Sequence, residues 1–220
     1  SLALEPVCGF GGRLVELFGR HGISVLELKT KTADIEGLLQ LDHRKRTVIG
    51  WSVNTPWIIS HEEEDTADLE ARAKAARAAL DAGYYVSFHC DPAIMYEGWE
   101  KGYREMFEVL GSYVGHGDRV AWFSIGAMRF MPRLKRIMDR DYPHSIAAVG
   151  EFIEGLDGKK RYYRRLRTDL MALIYREAKR LFPRTAVYFC MESRDVWEDA
   201  AGFYPGRRGV AEMLDRVFWK

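Results

Sequence analysis

Long apolar runs are missing from the 220 residues. No stretch approaches the ~18 consecutive apolar residues of a membrane span, and the first residues lack a charged region followed by an apolar one. Cysteine is scarce: Cys8, Cys90 and Cys190 are odd in number and far apart, which fits reduced thiols in a cytoplasmic protein better than a disulfide framework. No CxxC, HxH or HExxH spacing is present, so no local metal motif exists, and there is no GxSxG nucleophile turn. GFGG (9–12) has no strand before it and therefore does not read as a phosphate-binding loop. Excess charge is absent as well. Lys+Arg 33 against Asp+Glu 32 leaves a net charge of +1, so any site for a polyanion has to be local.

What the chain does have is strand-forming residues in short bursts between helix-like segments. ISVLELKT (23–30), TVIGWSV (47–53), YYVSFHC (84–90), RVAWFSI (119–125) and TAVYFC (185–190) are rich in Val, Ile, Tyr, Phe or Trp, as buried strands are. SIAAVG (145–150) is a weaker sixth. Helical periodicity predicts RLVELFGR (13–20), then LEARAKAARAALDAG (69–83) with Asp68 as its cap and Gly83 as its stop. GWEKGYREMFEVLG (98–111), PRLKRIMDRDY (132–142) and LRTDLMALIYREAKRLF (166–182) follow. Alternation of this kind implies βα units on a parallel sheet. Too few strands are present for a complete eight-stranded barrel, so the expected fold is α/β, a partial parallel (β/α) barrel lacking its first units. Residues 1–202 form that barrel and 203–220 a tail with a short helix near 210–219.

In parallel α/β folds ligands bind where strands hand over to the following loops. Polar side chains gather at those positions: Lys29 and Lys31, then Ser52 and Asn54, then His89 and Asp91 followed by Tyr96 and Glu97, then Arg129, then Cys190 and Glu192. Each has an ordinary explanation as a solvated, turn or capping residue; their recurrence on five strands is what suggests a polar mouth. Glu97 with Glu192 beside Trp99 would also suit a barrel hydrolase with paired carboxylates. GKKRYYRRLR (158–167) offers Lys159, Lys160, Arg161 and Arg164 for phosphates, with Tyr162 and Tyr163 for unpaired bases. The alternative for that stretch is a solvated basic start to the long helix.

The order and identity of several segments add a resemblance. LELKTKTADIEGLLQLDHRKRTVIGWSVN (26–54), HCDPAIMYEGWEKGY (89–103), GAMRF (126–130), GEFIEGLDGKKRYYRRLR (150–167) and VYFCMESRDVWE (187–198) resemble the spore photoproduct lyase family of radical S-adenosylmethionine proteins. The resemblance implies a partial barrel of radical S-adenosylmethionine type, with that cofactor and a [4Fe-4S] cluster at its mouth. Cleavage of the cofactor there gives a 5′-deoxyadenosyl radical, which acts on a thymine dimer in DNA. Carried over by motif, Lys31, Ser52 and Asn54 contact the cofactor and Tyr96 lies near it; His89, Asp91 and Arg129, at the same strand ends, are further candidates to bind it. Tyr96 and Glu97 are the candidate catalytic pair. The alternative is a binding module for nucleic acid that retains the barrel without catalysis.

The cluster motif CxxxCxxC is absent, and in the family it lies upstream of every segment matched here. The 220 residues are therefore expected to correspond to the carboxyl-terminal part of such an enzyme, with a missing amino-terminal segment as partner, and to be inactive alone. By itself the chain should carry no iron, leave S-adenosylmethionine uncleaved and self-associate through an unpaired edge at 23–30. Iron analysis and size-exclusion chromatography check this; a monodisperse monomer with slow amide exchange across 23–30 contradicts the edge.

Overall fold

The computed structural model describes residues 2–116 and 119–219. Five strands form one parallel sheet: β1 (Leu26–Thr30), β2 (Thr47–Ser52), β3 (Tyr85–Ala93), β4 (Val120–Ala127) and, after two further connections, β8 (Ala186–Phe189). Spatial order is β1-β2-β3-β4-β8, every pairing is parallel, and the register aligns Lys29, Gly50, Ser87 and Trp122 across four strands. All five strands expected from the β-branched and aromatic runs are thus present, and β1 is an edge, with β2 as its partner in the sheet. A smaller antiparallel sheet, β5-β7-β6, consists of β5 (Arg129–Phe130), β6 (Phe152–Glu154) and β7 (Lys160–Tyr162).

The two faces of the parallel sheet differ because side chains alternate along each strand. Ile49, Trp51, Val86, Phe88, Cys90, Phe123, Ile125, Val187 and Phe189 point into the main core. Helices cover that face: α5 (Leu69–Asp81), α6 (Trp99–Val114) and α8 (Arg164–Leu181) pack in sequence, with α2 (Phe10–His21) beside β1 and β2. The Asp68 side chain accepts from Ala71 N at 2.7 Å and caps α5 as its sequence suggests. Pro132 opens α7 (Pro132–Asp141), which has no buried residue and whose Leu134 and Ile137 are exposed.

One expected strand is absent, and two other segments take definite places. SIAAVG (145–150) is not a strand: Ser145 Oγ and Ile146 N bond to the Glu62 carboxylate at 2.6 and 2.7 Å, which holds the segment as turns. The basic stretch is split: Lys160–Tyr162 is β7, while Arg164, Arg165 and Arg167 open α8, so a basic start to the long helix holds for its second part. GFGG lies inside the first turn of α2, where Gly11 N and Gly12 N bind the Glu5 carboxylate at 2.6 and 2.7 Å.

The tail packs back onto the sheet. After α9 (Arg194–Ala201) comes α10 (Gly206–Asp215), and Leu214, Val217 and Phe218 lie against Val48, Tyr85 and Trp122 on the face away from the helices. The Phe218 ring meets Tyr85 edge-on at 4.8 Å, and the Arg46 guanidinium sits 4.2 Å over the Trp219 ring. Phe218→Ala should lower stability by about 1–3 kcal/mol, since a partly buried ring loses its contacts on the sheet. Urea unfolding at fixed protein concentration measures this, and an unchanged midpoint would show that the tail only rests there.

Candidate functional site

Where β1 and β2 end, a cleft of ≈ 680 Å³ opens between Lys29, Thr30, Lys31, Ser52 and Thr66. Two ammonium groups and several hydroxyls therefore share one space, an arrangement suited to a small anionic or zwitterionic group. One guanidinium holds both walls. Arg72, on α5, is 0% exposed. Its Nη1 donates to Ser52 O at 2.8 Å and its Nε to Ala67 O at 2.8 Å. Its Nη2 reaches Glu63 Oε2 at 2.5 Å and Thr66 Oγ1 at 2.9 Å. Lys31 Nζ pairs with the other oxygen, Glu63 Oε1, at 3.0 Å. Burial raises the Glu63 pKa, but the hydrogen bonds and charges of Arg72 and Lys31 outweigh it and hold the carboxyl below its ordinary value.

The polar residues of the sheet lie on the face away from the helices. Glu27, on β1, reaches across β2 and takes three donors on one oxygen: Ser87 Oγ at 2.6 Å, His89 Nε2 at 2.6 Å and Trp122 Nε1 at 3.0 Å. Gly50 makes the crossing feasible. A Cβ there would stand 2.8 Å from Glu27 Oε1 and 2.7 Å from Ser87 Oγ, so any side chain would push the carboxylate away. Further along β3, Arg129 grips the Asp91 carboxylate with Nη1 at 3.2 Å and Nη2 at 3.4 Å, and Nη2 also meets Cys190 Sγ at 3.5 Å. Burial, then the Asp91 charge, pushes the Cys190 thiol up, so it is no ready thiolate.

Asn54 differs from its neighbours. It is buried, its Nδ2 donates to Pro92 O at 2.8 Å, and its Oδ1 accepts from Thr55 N and Tyr103 Oη, both at 3.0 Å. That side chain ties the β2 and β3 loops together and does not border the cleft. Tyr96 donates to Thr55 Oγ1 at 2.9 Å and stacks on Trp57 at 4.6 Å, while Trp57 also stacks on His61 at 4.7 Å. Glu97 is exposed on the rim of a separate groove bordered by Trp57 and Val149. Glu192 is committed elsewhere: it pairs with Arg167 at 2.9 Å, both side chains are buried, and burial raises its pKa. Glu97 borders that groove and Glu192 does not, and Glu192 is occupied by Arg167, so the two do not present a free carboxylate pair to one space.

The basic stretch is divided by the fold. Tyr162 is 1% exposed, stacked on Phe152 at 4.4 Å, and its hydroxyl accepts from Met95 N at 3.0 Å. It cannot stack on a base. Arg161 pairs with Asp157, Lys160 with Glu154 and Arg164 with Asp195, whereas Lys159 has no ion-pair partner among the described residues and Tyr163 is exposed. The excursion from Arg129 to Arg167 nevertheless contains eleven Lys or Arg against five Asp or Glu, a surplus of six on a chain of net +1. Glu27, Gly50, Glu63 and Arg72 were not anticipated from sequence. Glu27 left a signal, as an acidic residue alternating with Leu26 and Leu28; Arg72, in an alanine-rich helix, left none.

Three comparisons bear on this geometry. The family model for spore photoproduct lyase matches residues 1–190. A spore photoproduct lyase of Clostridium acetobutylicum is 34% identical over 143 residues, which is 64% of this chain and 42% of that protein. The spore photoproduct lyase of Bacillus subtilis (strain 168) is 31% identical over 166 residues, 75% of this chain and 46% of that protein. Among solved structures, spore photoproduct lyase complexed with dinucleoside spore photoproduct superposes with a TM-score of 0.76 at 26% identity, covering 85% of this chain and 57% of the other. A mutant of that enzyme with bound AdoMet and dinucleoside spore photoproduct gives the same values. The chain spans about half the length of the curated relatives it matches.

The Glu27 cluster has a pH signature. Burial raises the Glu27 pKa, but the hydrogen bond and charge of His89, with the Ser87 and Trp122 donors, outweigh it and leave the carboxyl below its ordinary value. A depressed carboxyl contributes stability above its unfolded pKa and loses it as pH falls through the folded one. Glu27→Gln should therefore cost about 1–3 kcal/mol at neutral pH. The gap to the parent should close as pH drops below about 4, past the ordinary glutamate range. Unfolding free energies measured against pH check this, and a gap independent of pH would assign the loss to shape alone.

Proposed function

The chain belongs to the spore photoproduct lyase family, and from that premise we propose that the complete protein is a radical S-adenosylmethionine enzyme repairing a thymine-dimer lesion in DNA. The observation that supports this most is the cleft at the ends of β1 and β2, where Lys31 and Ser52 face the same space. A methionine end carries a carboxylate and an amino group side by side. Lys31, with Lys29 nearby, supplies cations for the carboxylate, and Ser52 Oγ a small donor or acceptor that leaves room for the rest of the cofactor. When bound, the cofactor supplies radical chemistry able to take a hydrogen atom from an unactivated carbon. His89, Asp91 and Arg129 act at one remove in this reading, because Glu27 holds His89 and Arg129 and Asp91 hold each other. Tyr96, fixed by Thr55 and Trp57, borders the separate groove that Glu97 also lines.

The [4Fe-4S] cluster does not fit these residues. Among the described residues no three Cys, His, Asp or Glu side chains converge as a metal site. Cys8 is exposed, Cys90 is buried under the helices and Cys190 lies beside Arg129. In this proposal the cluster ligands come from a segment outside the 220 residues. The DNA substrate lies along the Arg129–Arg167 excursion, whose basic surplus provides local attraction on a nearly neutral chain. Among the described residues no helix is long and apolar enough to cross a membrane, and we take the site of action to be the cytoplasm, where three free thiols stay reduced.

In the complete, cluster-loaded protein Lys31→Ala and Ser52→Ala should each weaken S-adenosylmethionine binding by about 1–3 kcal/mol. Titration calorimetry measures this; unchanged affinity in both variants removes the cleft from the cofactor site. DNA binding should weaken steeply with salt, and Lys159→Gln combined with Lys160→Gln should reduce the slope of log affinity against log salt by about 2. A slope that does not change would take β7 out of the interface.

A further inference from the structure

Lys31 is not left to find its own position. Its ammonium is bound to Glu63 Oε1 at 3.0 Å, and its own carbonyl accepts from Ala67 N at 3.2 Å, so side chain and backbone are both tied to the loop 63–67. The lysine side chain remains 44% exposed, at the cleft that Ser52 and Thr66 also border. An ammonium has three donors, and Glu63 takes one. Glu63 is in turn immobilised through its second oxygen, which receives Arg72 Nη2 at 2.5 Å and the Thr66 hydroxyl at 3.1 Å. The two carboxylate oxygens thus have separate tasks: Oε2 belongs to the buried guanidinium and Oε1 to the lysine.

We propose that Glu63, anchored by Arg72, is a positioning residue that holds the Lys31 ammonium at the cleft with its remaining donors turned to an incoming carboxylate. The inference rests on the cofactor reading of that cleft. Its distinguishing feature is a sign. Removing the Glu63 charge makes the cleft more positive, so the electrostatic field alone predicts tighter binding of an anion. Positioning predicts weaker binding. A glutamine at 63 has one acceptor oxygen, which the buried Arg72 claims, and it would present its NH2 to another donor, Lys31. An aspartate keeps the charge beside Arg72 but is one methylene short of reaching both cations, so it separates positioning from charge.

The test is calorimetric titration of S-adenosylmethionine into the complete, cluster-loaded protein, with thermal unfolding recorded for every variant. Glu63→Gln and Glu63→Asp should each weaken binding about fivefold or more. In a Lys31→Ala background neither should have any further effect, because a residue acting through Lys31 is not additive with it. Should Glu63→Gln fail to fold, Glu63→Asp carries the same test with the buried charge retained. Unchanged or tighter binding in the folded Glu63 variants, or losses that add to Lys31→Ala, overturns the positioning role while leaving the cofactor reading intact. Parent protein that binds no S-adenosylmethionine, or binding indifferent to Lys31→Ala, overturns both.

Discussion

A fully buried arginine is costly unless each of its donors finds an acceptor, and Arg72 satisfies that condition by drawing the end of β2 and the loop 63–67 to one point. Ser52 O at the end of β2, Ala67 O in the following loop and the Glu63 carboxylate all converge on its guanidinium. Because the loop 63–67 has no regular secondary structure, this convergence sets where the loop lies. The shape of the cleft between Lys31, Ser52 and Thr66 follows from it. A buried ion pair is weak evidence for stability as such, since an apolar replacement of the same volume often does as well. What it contributes here is a unique arrangement at the place where a ligand group would sit.

The parallel sheet depends on a second constraint of the same kind. One face is apolar and covered by helices; the other holds Ser87, His89 and Ser124, buried groups that need partners, beside the more accessible Glu27 and Asp91. Glu27 meets the need by reaching from β1 across β2 to Ser87 and His89 on β3 and Trp122 on β4. The missing side chain at Gly50 is the geometric condition for that span. Gly126 serves Asp91 in the same way, since a Cβ there would stand 2.5 Å from its carboxyl group. In both places a glycine opens room for a carboxylate.

Charge is distributed to match. The chain is almost neutral, yet the excursion that leaves β4 at Arg129 and returns at α8 concentrates basic residues and exposed apolar ones, Leu134, Ile137, Leu156 and Tyr163 among them. Much of that charge is internally paired, with Arg161 on Asp157 and Arg167 on Glu192. Such pairs brace the small sheet and the start of α8. They leave Lys159, Arg133 and Arg136 without ion-pair partners among the described residues, so a polyanion would meet a braced surface with a few free cations.

The five parallel strands were legible in the chain because β-branched and aromatic residues in short runs, set between helical periods, have few other stable arrangements. Asp68, Pro132 and the strand ends carrying Lys31, Ser52 and His89 were legible for the same local reason, and the family resemblance rested on residues adjacent in sequence. Local pattern could not decide contacts between distant segments. Nothing in GKKRYYRRLR distinguishes a strand from the start of a helix; pairing of Lys160 with Phe130 and Glu154 does. Asn54 reads as a turn residue, and only the approach of Pro92 and Tyr103 turns it into a clamp. Glu192 reads as a free carboxylate until Arg167 is placed beside it. Glu27 and Arg72 gain their roles from partners up to 95 residues away, reached over a glycine in one case and through an irregular loop in the other. Sequence by itself determined the five parallel strands and the family. Tertiary structure decided which polar groups are occupied in holding the fold and which remain open to a ligand, because a buried donor or acceptor takes whatever partner folding brings within hydrogen-bond distance.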